Sequence, residues 1–211
     1  PGNPNGQVLG TPQLAKVVAW ARQHGVIVAS DECYAELDWR DGQVGTATPS
    51  ILHPDVCGDS HEGLLAVYSL SKQSNLAGYR AAFLAGDRAL VQRILAVRKH
   101  AGMMMPAPVQ HVMAAVLRDD RHVGAQREVY RRRREVLLGA VQRAGLRVDH
   151  SEAGLYLWAT HDEDCWTTVS HFAGRGILVA PGSFYGQAGR RHVRIALTAT
   201  DERIAAAASR L

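Results

Sequence analysis

The segment VYSLSKQSNLAGYR, which spans residues 67–80, decides the class of fold. The apolar run Leu64–Tyr68 leads into it and predicts a buried strand that ends near Leu70. Lys72 follows directly, between small hydroxyl residues, and Arg80 comes eight residues after the lysine. In open α/β sheets, ligands bind beyond the carboxyl ends of the strands. We therefore place Lys72 at a potential binding edge of a sheet.

Strands and helices alternate on both sides of this segment, which is typical of an α/β fold. Thr11 and Pro12 predict the start of a helix, with Thr11 as its N-cap, and Gly25 predicts its end. Short apolar runs predict strands over 26–29, 64–70, 80–85, 146–150, 155–160, 177–180 and 192–197, and a polar loop covers 40–63. Periodic segments predict helices over 89–100, 108–117, 123–144 and 165–175, and a last helix that Asp201 caps.

The same pattern predicts the domain organisation. Residues 1–122 form the C-terminal portion of a larger domain, with helices and a mostly parallel sheet, and residues 145–211 form a small α+β domain. The helix over 123–144 links them. Because the chain starts at Pro1 in the turn-like sequence PGNPNG, we expect a fragment of a longer protein. A sheet cut in this way exposes strand edges, so we expect the isolated chain to be unstable or inactive.

Composition excludes several classes of protein. Of the 211 residues, 46% are hydrophobic and 21% are charged, which is typical of a globular protein. No apolar run approaches the ~20 residues of a membrane span, and three scattered cysteines indicate a reduced, cytoplasmic protein. The net charge is +4, and we interpret the basic run Arg131–Arg134 as a solvated helix face rather than a nucleic-acid site. No His or Cys spacing predicts a metal site.

Two predicted strand ends together offer an amine and a carboxylate, from Lys72 and Asp31. These are the groups that pyridoxal 5′-phosphate (PLP) needs, because a lysine bonds its aldehyde and an acid keeps its pyridine nitrogen protonated. Ser69, Ser71 and Arg80 supply the hydroxyls and the planar cation that a phosphate requires. Each residue alone is most often a solvated, capping or ion-pair residue. The joint pattern is what indicates a PLP site.

These motifs resemble those of the class I/II, PLP-dependent aminotransferases of fold type I. Ser69-Leu70-Ser71-Lys72, followed by Gly78-Tyr79-Arg80, resembles the lysine segment of that family. Asp31-Glu32-Cys33-Tyr34 resembles its Asp-x-x-Tyr stretch. The resemblance implies that Lys72 bonds the cofactor and shuttles a proton, and that Asp31 pairs with the pyridine nitrogen. It also implies that Ser69 and Arg80 bind the phosphate and that Tyr34 hydrogen-bonds the PLP hydroxyl.

Other motifs, in the family's order, extend the resemblance over nearly the whole chain. Asn3-Pro4-Asn5-Gly6 resembles the family's Asn-Pro-Thr-Gly turn, with asparagine in place of the usual threonine, and implies that Asn3 also binds the PLP hydroxyl. Arg194 matches the arginine that grips the substrate α-carboxylate. The loops that resemble those bordering the substrate are Glu152–Gly154, with Gly154 at its end, and Pro181–Gly186.

Two stretches, 68–80 and 99–108, look most like the succinyldiaminopimelate transaminases of lysine biosynthesis, especially actinobacterial ones. The implied reaction is transamination of N-succinyl-LL-2,6-diaminopimelate with 2-oxoglutarate. Because members of the family are usually homodimers, we expect a homodimer for the full-length parent, with neither nucleic acid nor membrane as a partner. Met103–Met105, in the second stretch, is interpreted as packing rather than as a substrate contact.

Two alternatives stay open at this point. The first is an aminotransferase of another specificity, for aspartate or aromatic substrates, which only the residues around the substrate side chain would decide. The second is a non-enzymatic chain, either a remnant of a decayed gene or the effector module of a transcription regulator built on the PLP fold. A DNA-binding domain upstream would distinguish the regulator from the enzyme.

Overall fold

The computed structural model of the chain describes residues 1–40, 48–102 and 104–211. Part of the predicted loop over 40–63, and Met103 among the predicted packing residues, lie outside the described residues. The chain divides into two compact units. The Arg194 unit consists of Pro1–Val8, Leu37–Val44 and Ala125–Leu211, and the Lys72 unit consists of Leu9–Glu36 and Gly45–Gly124. The predicted domain limits stay a prediction.

Helices and strands alternate along the chain. The helices are α1 (Thr11–His24), α2 (Pro54–Cys57), α3 (Leu70–Gln73), α4 (Arg88–His100), α5 (Ala107–Val116), α6 (Arg121–Arg143), α7 (Cys165–Gly174) and α8 (Asp201–Arg210). The strands are β1 (Val28–Asp31), β2 (Leu64–Ser69), β3 (Ala82–Gly86), β4 (Arg147–Val148), β5 (Tyr156–Thr160), β6 (Ala180–Pro181) and β7 (Val193–Ala196). Within the described ranges, no helix combines the length and the apolar character that crossing a bilayer requires.

The sheet of the Lys72 unit has the strand order β1-β2-β3. β1 runs parallel to β2, which places Asp31 beside Val67, and β3 runs antiparallel to β2. The α/β class is confirmed, although the prediction of a mostly parallel sheet holds here for one of the two described strand pairs. The connection from β2 to β3 contains only short helical turns, and the chain turns back at Arg80, whose φ is 54°.

The start of β1 differs from the prediction by two residues, because the end of α1 uses the intervening chain. Gly25 adopts the left-handed conformation, with φ of 62°, and ends α1 as predicted. The N–H of Val26 then donates to the carbonyl of Ala21 at 2.9 Å, which is the closing bond of a glycine-capped helix. β1 therefore begins at Val28, and Asp31 is the last residue of the strand rather than a residue beyond it.

The N-cap of α1 also differs from the prediction. Gly10, and not Thr11, holds the N-cap position, and its carbonyl accepts the hydrogen bond from the N–H of Leu14 at 3.0 Å. Pro12 lies in the first turn, as predicted, where its missing N–H costs nothing. The side-chain cap that Thr11 would have provided is absent from this helix.

One side of α1 packs into the apolar core of the Lys72 unit. The core residues are Leu14, Val18, Ile51, Val56, Cys57, Leu64 and Ala66. Val56 and Cys57 belong to α2, a single turn inside the predicted loop, which His53 begins by accepting the N–H of Asp55 at 3.2 Å. Burial of each large aliphatic side chain stabilises the fold by roughly 1.5–3 kcal/mol. The core thus anchors the start of β2, the strand that leads to Lys72.

The sheet of the Arg194 unit is antiparallel, with the strand order β4-β5-β7-β6. Trp158 of β5 lies directly opposite Arg194 of β7. Since alternate residues point to opposite faces, one face carries Tyr156, Trp158 and Arg194. The other face carries Leu157, Ala159, Val193 and Ile195, all of which are buried. The second face is therefore core, whereas the first carries the charged Arg194 among aromatic side chains.

The basic run on α6 divides into two pairs with different surroundings. Arg131 and Arg132 are exposed and pair with neighbouring glutamates of the same helix, as predicted for a solvated face. Arg133 instead pairs with Asp201 at 2.5 Å, and Arg134 donates to the carbonyl of Ser151 at 2.8 Å. Asp201 is therefore an ion-pair partner and not the predicted N-cap of α8, a position that Thr200 occupies.

Candidate functional site

Lys72 lies in α3, the single turn that follows β2. Ser69 caps this turn, because its Oγ accepts a hydrogen bond from the N–H of Ser71 at 3.1 Å. The Lys72 side chain is half-buried, and its Nζ lies 5.9 Å from the centre of the Tyr34 ring. The structure thus brings together two residues, Lys72 and Tyr34, that the sequence predicts for one cofactor.

Cys33 lies within reach of the charges of both Asp31 and Lys72. Asp31 Oδ1 accepts a hydrogen bond from the Cys33 N–H at 3.1 Å. Burial, followed by a hydrogen bond of the thiol itself to the Asp31 side chain and by the negative charge of Asp31, raises the pKa of the Cys33 thiol to about 12, while the charge of Lys72 lowers it. Sequence reasoning counted Cys33 only as a scattered cysteine. Its place inside the Asp-x-x-Tyr stretch was the signal that could have found it.

The predicted phosphate-binding residues lie between Ser69, the last residue of β2, and the start of β3. The Ser69 hydroxyl lies 3.0 Å from the Ser71 hydroxyl and 3.3 Å from the Ala81 carbonyl oxygen. Arg80 is exposed, and its Nη1 donates to the carbonyl of Ala77 at 2.9 Å. The two hydroxyls are therefore adjacent, while the guanidinium is held by the backbone of the turn that carries it.

Tyr68 is a residue of this region that the sequence did not single out. Its hydroxyl donates to Glu36 Oε1 at 3.2 Å, and its ring stacks on Phe83, the residue opposite it on β3, at 5.4 Å between centres. Burial, with the charge of Glu36, raises the pKa of Tyr68 well above its ordinary range. Tyr68 therefore links β2 to Glu36 through its hydroxyl and to β3 through its ring.

Asn3 and Arg194, the residues predicted for cofactor and substrate, meet in the Arg194 unit. Arg194 Nη1 donates to Asn3 Oδ1 at 3.0 Å. Arg194 Nε is buried and lacks a hydrogen-bond partner among the described residues. A buried donor without an acceptor is unfavourable, so this N–H favours the arrival of an acceptor such as a carboxylate.

Aromatic rings surround the Arg194 guanidinium, and the sequence analysis did not predict them. The guanidinium carbon lies 3.9 Å from the centre of the Tyr156 ring and 5.1 Å from that of Tyr185. Trp158 meets Tyr185 edge to face at 5.6 Å and stacks in parallel on His192 at 4.9 Å. The alternation of Tyr156 and Trp158 on a predicted strand was the signal that could have shown this aromatic face.

The loop Glu152–Gly154 holds distant parts of the Arg194 unit together. The carbonyl of Glu152 accepts the N–H of Trp39 at 2.8 Å, and its Oε2 accepts the N–H of Val8 at 3.1 Å. Gly154 donates to the carbonyl of Leu37 at 2.7 Å and accepts the Trp39 indole N–H at 2.9 Å. The backbone groups of Gly154 thus already have partners, and its predicted substrate contact stays a prediction.

Across residues 1–40, 48–102 and 104–211, no cluster of three or more His, Cys, Asp or Glu side chains is arranged to hold a metal ion.

Comparison with known proteins identifies a family whose sequence model matches this chain. The sequence model of the family described as aminotransferase class I and II matches residues 1–211. The chain belongs to this family. Aminotransferases of class I and II depend on PLP, so the predicted cofactor agrees with the family.

Two curated relatives of this aminotransferase chain are themselves named as transaminases. It is 59% identical to 4-dedimethylamino-4-oxo-anhydrotetracycline transaminase OxyQ of Streptomyces rimosus, over the whole chain and 57% of OxyQ. It is 60% identical to the probable aminotransferase Rv1178 of Mycobacterium tuberculosis, over the whole chain and 49% of that protein. The chain thus spans about half the length of these curated relatives.

A solved structure shares the fold of the aminotransferase chain. The probable N-succinyldiaminopimelate aminotransferase from Thermus thermophilus superposes with a TM-score of 0.83 at 27% identity. The match covers all of this chain and 55% of the Thermus chain.

The side chains of the Lys72 unit fit PLP by their chemistry. Lys72 provides the primary amine, and Asp31 provides a carboxylate at the end of the neighbouring strand. Ser69 and Ser71 provide adjacent hydroxyls, and Arg80 provides an exposed guanidinium. This set contains a partner for the aldehyde, the ring nitrogen and the phosphate.

Proposed function

We propose that the protein catalyses PLP-dependent transamination between an amino acid and a 2-oxo acid. The observation that carries this proposal is the position of Lys72 at the end of β2. Its Nζ lies 5.9 Å from the Tyr34 ring, and its charge acts on the same thiol as the charge of Asp31. Membership of the aminotransferase family over the whole chain supports the same reaction.

The residues of the Lys72 unit have separate roles in this proposal. When bound, PLP supplies an aldehyde that condenses with amines and a ring that accepts electrons from the substrate α-carbon. Lys72 holds the cofactor before the substrate arrives, and its released amine then carries the α-proton. Asp31 favours the protonated pyridine nitrogen through its negative charge. Tyr34 hydrogen-bonds the PLP hydroxyl, a role that is also proposed for Asn3, which belongs to the Arg194 unit.

The remaining residues bind the charged ends of cofactor and substrate. Ser69, Ser71 and Arg80 bind the phosphate, since hydroxyls and a guanidinium donate several hydrogen bonds to its oxygens. Arg194 binds the substrate α-carboxylate, and the orphaned Nε supports this role because a carboxylate would supply its missing acceptor. Gly154 borders the substrate through the shape of its backbone, whose polar groups bond Leu37 and Trp39.

For the substrate, we propose N-succinyl-LL-2,6-diaminopimelate, whose amino group moves to 2-oxoglutarate to give glutamate. The sequence stretches at 68–80 and 99–108 support this choice, as does the name of the Thermus relative. Lysine biosynthesis would then be the pathway, and the cytoplasm the expected location. A homodimer is proposed for the full-length protein, with neither nucleic acid nor membrane as a partner.

A ketone of the tetracycline type is a second candidate substrate. The observation that favours it is the 59% identity to OxyQ, which exceeds the 27% identity to the Thermus protein. The two candidates differ in shape, since one substrate is a flexible chain with several carboxylates and the other a rigid polycycle. Initial rates of glutamate-linked transamination with each compound, in the full-length protein, separate them directly.

The covalent role of Lys72 can be tested in the full-length protein, with the other two lysines of this chain, Lys16 and Lys99, as controls. The protein is incubated with PLP and reduced with borohydride, and its intact mass is measured. We expect a single adduct that Lys72→Ala abolishes and that Lys16→Ala and Lys99→Ala retain. An adduct that survives in Lys72→Ala, or its absence in the unmodified full-length protein, would overturn the proposal and favour a non-enzymatic chain.

A further inference from the structure

We propose that Tyr156 is a positioning residue that holds the Arg194 guanidinium in the plane required for carboxylate binding, with Tyr185 at its flank. The inference rests on the proposed function of Arg194 in substrate binding. It adds a role for aromatic rings that neither the motifs nor the relatives assign.

The Arg194 guanidinium lies over the face of the Tyr156 ring. A distance of 3.9 Å from the guanidinium carbon to the ring centre is close to van der Waals contact, so the cation lies over the ring face. A planar guanidinium in this position stacks on the ring, and its N–H groups point outward within its own plane. The Tyr156 ring therefore defines the plane in which Arg194 can donate to an anion.

The other contacts of Arg194 leave its Nε–H, which lies in the guanidinium plane, without an acceptor among the described residues. Nη1 is used by Asn3, whereas Nε has no acceptor within the described part of the chain. Carboxylates prefer to accept two parallel hydrogen bonds in the guanidinium plane. A cation tilted away from this plane would lose one of the two bonds, which is why the ring under Arg194 affects substrate affinity.

Contacts with neighbouring side chains restrict the movement of these rings. Trp158 stacks on His192, whose Nε2 lies 2.8 Å from Asp149 Oδ2, and the edge of Trp158 meets Tyr185. Tyr156 and Trp158 are two residues apart on β5 and therefore share one face of the sheet. Tyr156 and Trp158 are thus fixed by strand register, whereas Tyr185 ends the short helical turn Gly182–Tyr185 and is held by its contact with Trp158.

The test compares Tyr156→Leu, which removes the ring, with Tyr156→Phe, which keeps it and removes only the hydroxyl. In the full-length protein loaded with PLP, we expect Tyr156→Leu to raise KM for glutamate and for 2-oxoglutarate about 2- to 30-fold, with kcat nearly unchanged. We expect Tyr156→Phe to restore KM to the unsubstituted value. Trp166→Leu, which removes an exposed ring of α7, is the matched control and should leave both constants unchanged.

A second measurement does not depend on activity. The Nε–H proton of Arg194 belongs to a guanidinium that lies over the Tyr156 ring, so the ring current should shift its NMR signal. This signal can be assigned by its loss in Arg194→Lys. We expect the shift to disappear in Tyr156→Leu and to persist in Tyr156→Phe and Trp166→Leu. Unfolding midpoints of the variants, measured in urea, identify any variant whose whole fold has changed.

The outcomes separate the inference from the function on which it rests. If Arg194→Lys raises KM but Tyr156→Leu changes neither KM nor the Nε–H shift, the positioning role is overturned and the function stands. If Tyr156→Phe raises KM as strongly as Tyr156→Leu does, the hydroxyl and not the ring carries the effect, which also overturns the inference. If Arg194→Lys leaves KM unchanged, the proposed carboxylate-binding role itself fails.

Discussion

Asn3 Oδ1 accepts a hydrogen bond from Arg194 Nη1 at 3.0 Å, although 191 positions separate the two residues in the sequence. Residues 1–8 and the C-terminal strands belong to one compact unit, in which the N–H of Ala153 donates to the carbonyl of Gly6 at 2.9 Å. The bond links a residue proposed for the cofactor to one proposed for the substrate.

Asn3→Ala should weaken substrate binding because it removes one of the groups that orient Arg194. Hydrogen bonds to charged groups contribute enough that a rise in KM of about 10- to 150-fold is expected for both substrates. Steady-state kinetics at saturating PLP measure this effect. Asn5→Ala is the control, since the Asn5 side chain accepts only from the local N–H of Gln7 among the described residues and should leave KM unchanged. Equal KM values in both variants would contradict the prediction.

Asp31→Asn should make the Cys33 thiol more reactive. Besides burial, the hydrogen bond and the charge of Asp31 raise the pKa of the Cys33 thiol to about 12. Their removal should lower this pKa, and each pKa unit of decrease raises the thiolate fraction about tenfold. Alkylation of the apo protein by iodoacetamide between pH 7 and 10, with Cys33 followed by mass spectrometry, measures the change. Lys72→Ala should act in the opposite direction, because the lysine charge lowers this pKa. The same direction in both variants would refute this account.

Gly182→Ala should destabilise the Arg194 unit. A Cβ at Gly182 would lie 2.1 Å from the carbonyl oxygen of Gly189 and 2.4 Å from that of His192, so the backbone must shift. We expect a loss of about 1–3 kcal/mol in the free energy of unfolding, from urea titration. Gly174→Ala, in α7, has no neighbour within 4 Å of the added Cβ and should change stability by less than about 1 kcal/mol. Similar losses in both variants would exclude the steric explanation.

Asp149→Asn should reduce the loss of stability in acid. The hydrogen bond from Arg147, with further help from His192, holds the pKa of Asp149 below its ordinary value of 3.8. A lowered folded-state pKa contributes stability above the ordinary value, and this contribution disappears as the pH falls through the lower one. Free energies of unfolding at pH 6 and pH 3 should therefore differ less in Asp149→Asn than in the unsubstituted protein. Asp59→Asn, at an exposed position, should preserve the original difference.

The local signals in the sequence predicted most of the elements that position the candidate site. Gly25 ends α1 because only its left-handed conformation closes the helix, and β2 ends at Ser69 because that hydroxyl starts the next turn. These features depend on a few consecutive residues, which is why composition and pattern sufficed. The approach of Lys72 to Tyr34 was instead implied by the family resemblance, which assigned both residues to one cofactor.

Other features depend on pairings between distant residues and could not be predicted in this way. The Tyr156–Arg194 contact exists because β5 and β7 pair in one register, which places Trp158 opposite Arg194. The antiparallel direction of β3 results from the turn at Arg80, and the sequence contains no comparable signal for strand direction. Family resemblance could indicate the role of Arg194, but not the rings that surround it.

The close approach of Gly182 and Gly189 to Trp158 has a practical consequence for protein engineering. Neither glycine can be replaced without a shift of the backbone, since a Cβ at Gly189 would also lie 2.2 Å from the carbonyl oxygen of Gly182. Between them, Ser183 and Phe184 are exposed, Phe184 to 71%. A library that varies these two positions and keeps both glycines would explore new surface chemistry on an unchanged scaffold, and it would leave the neighbouring indole where it is.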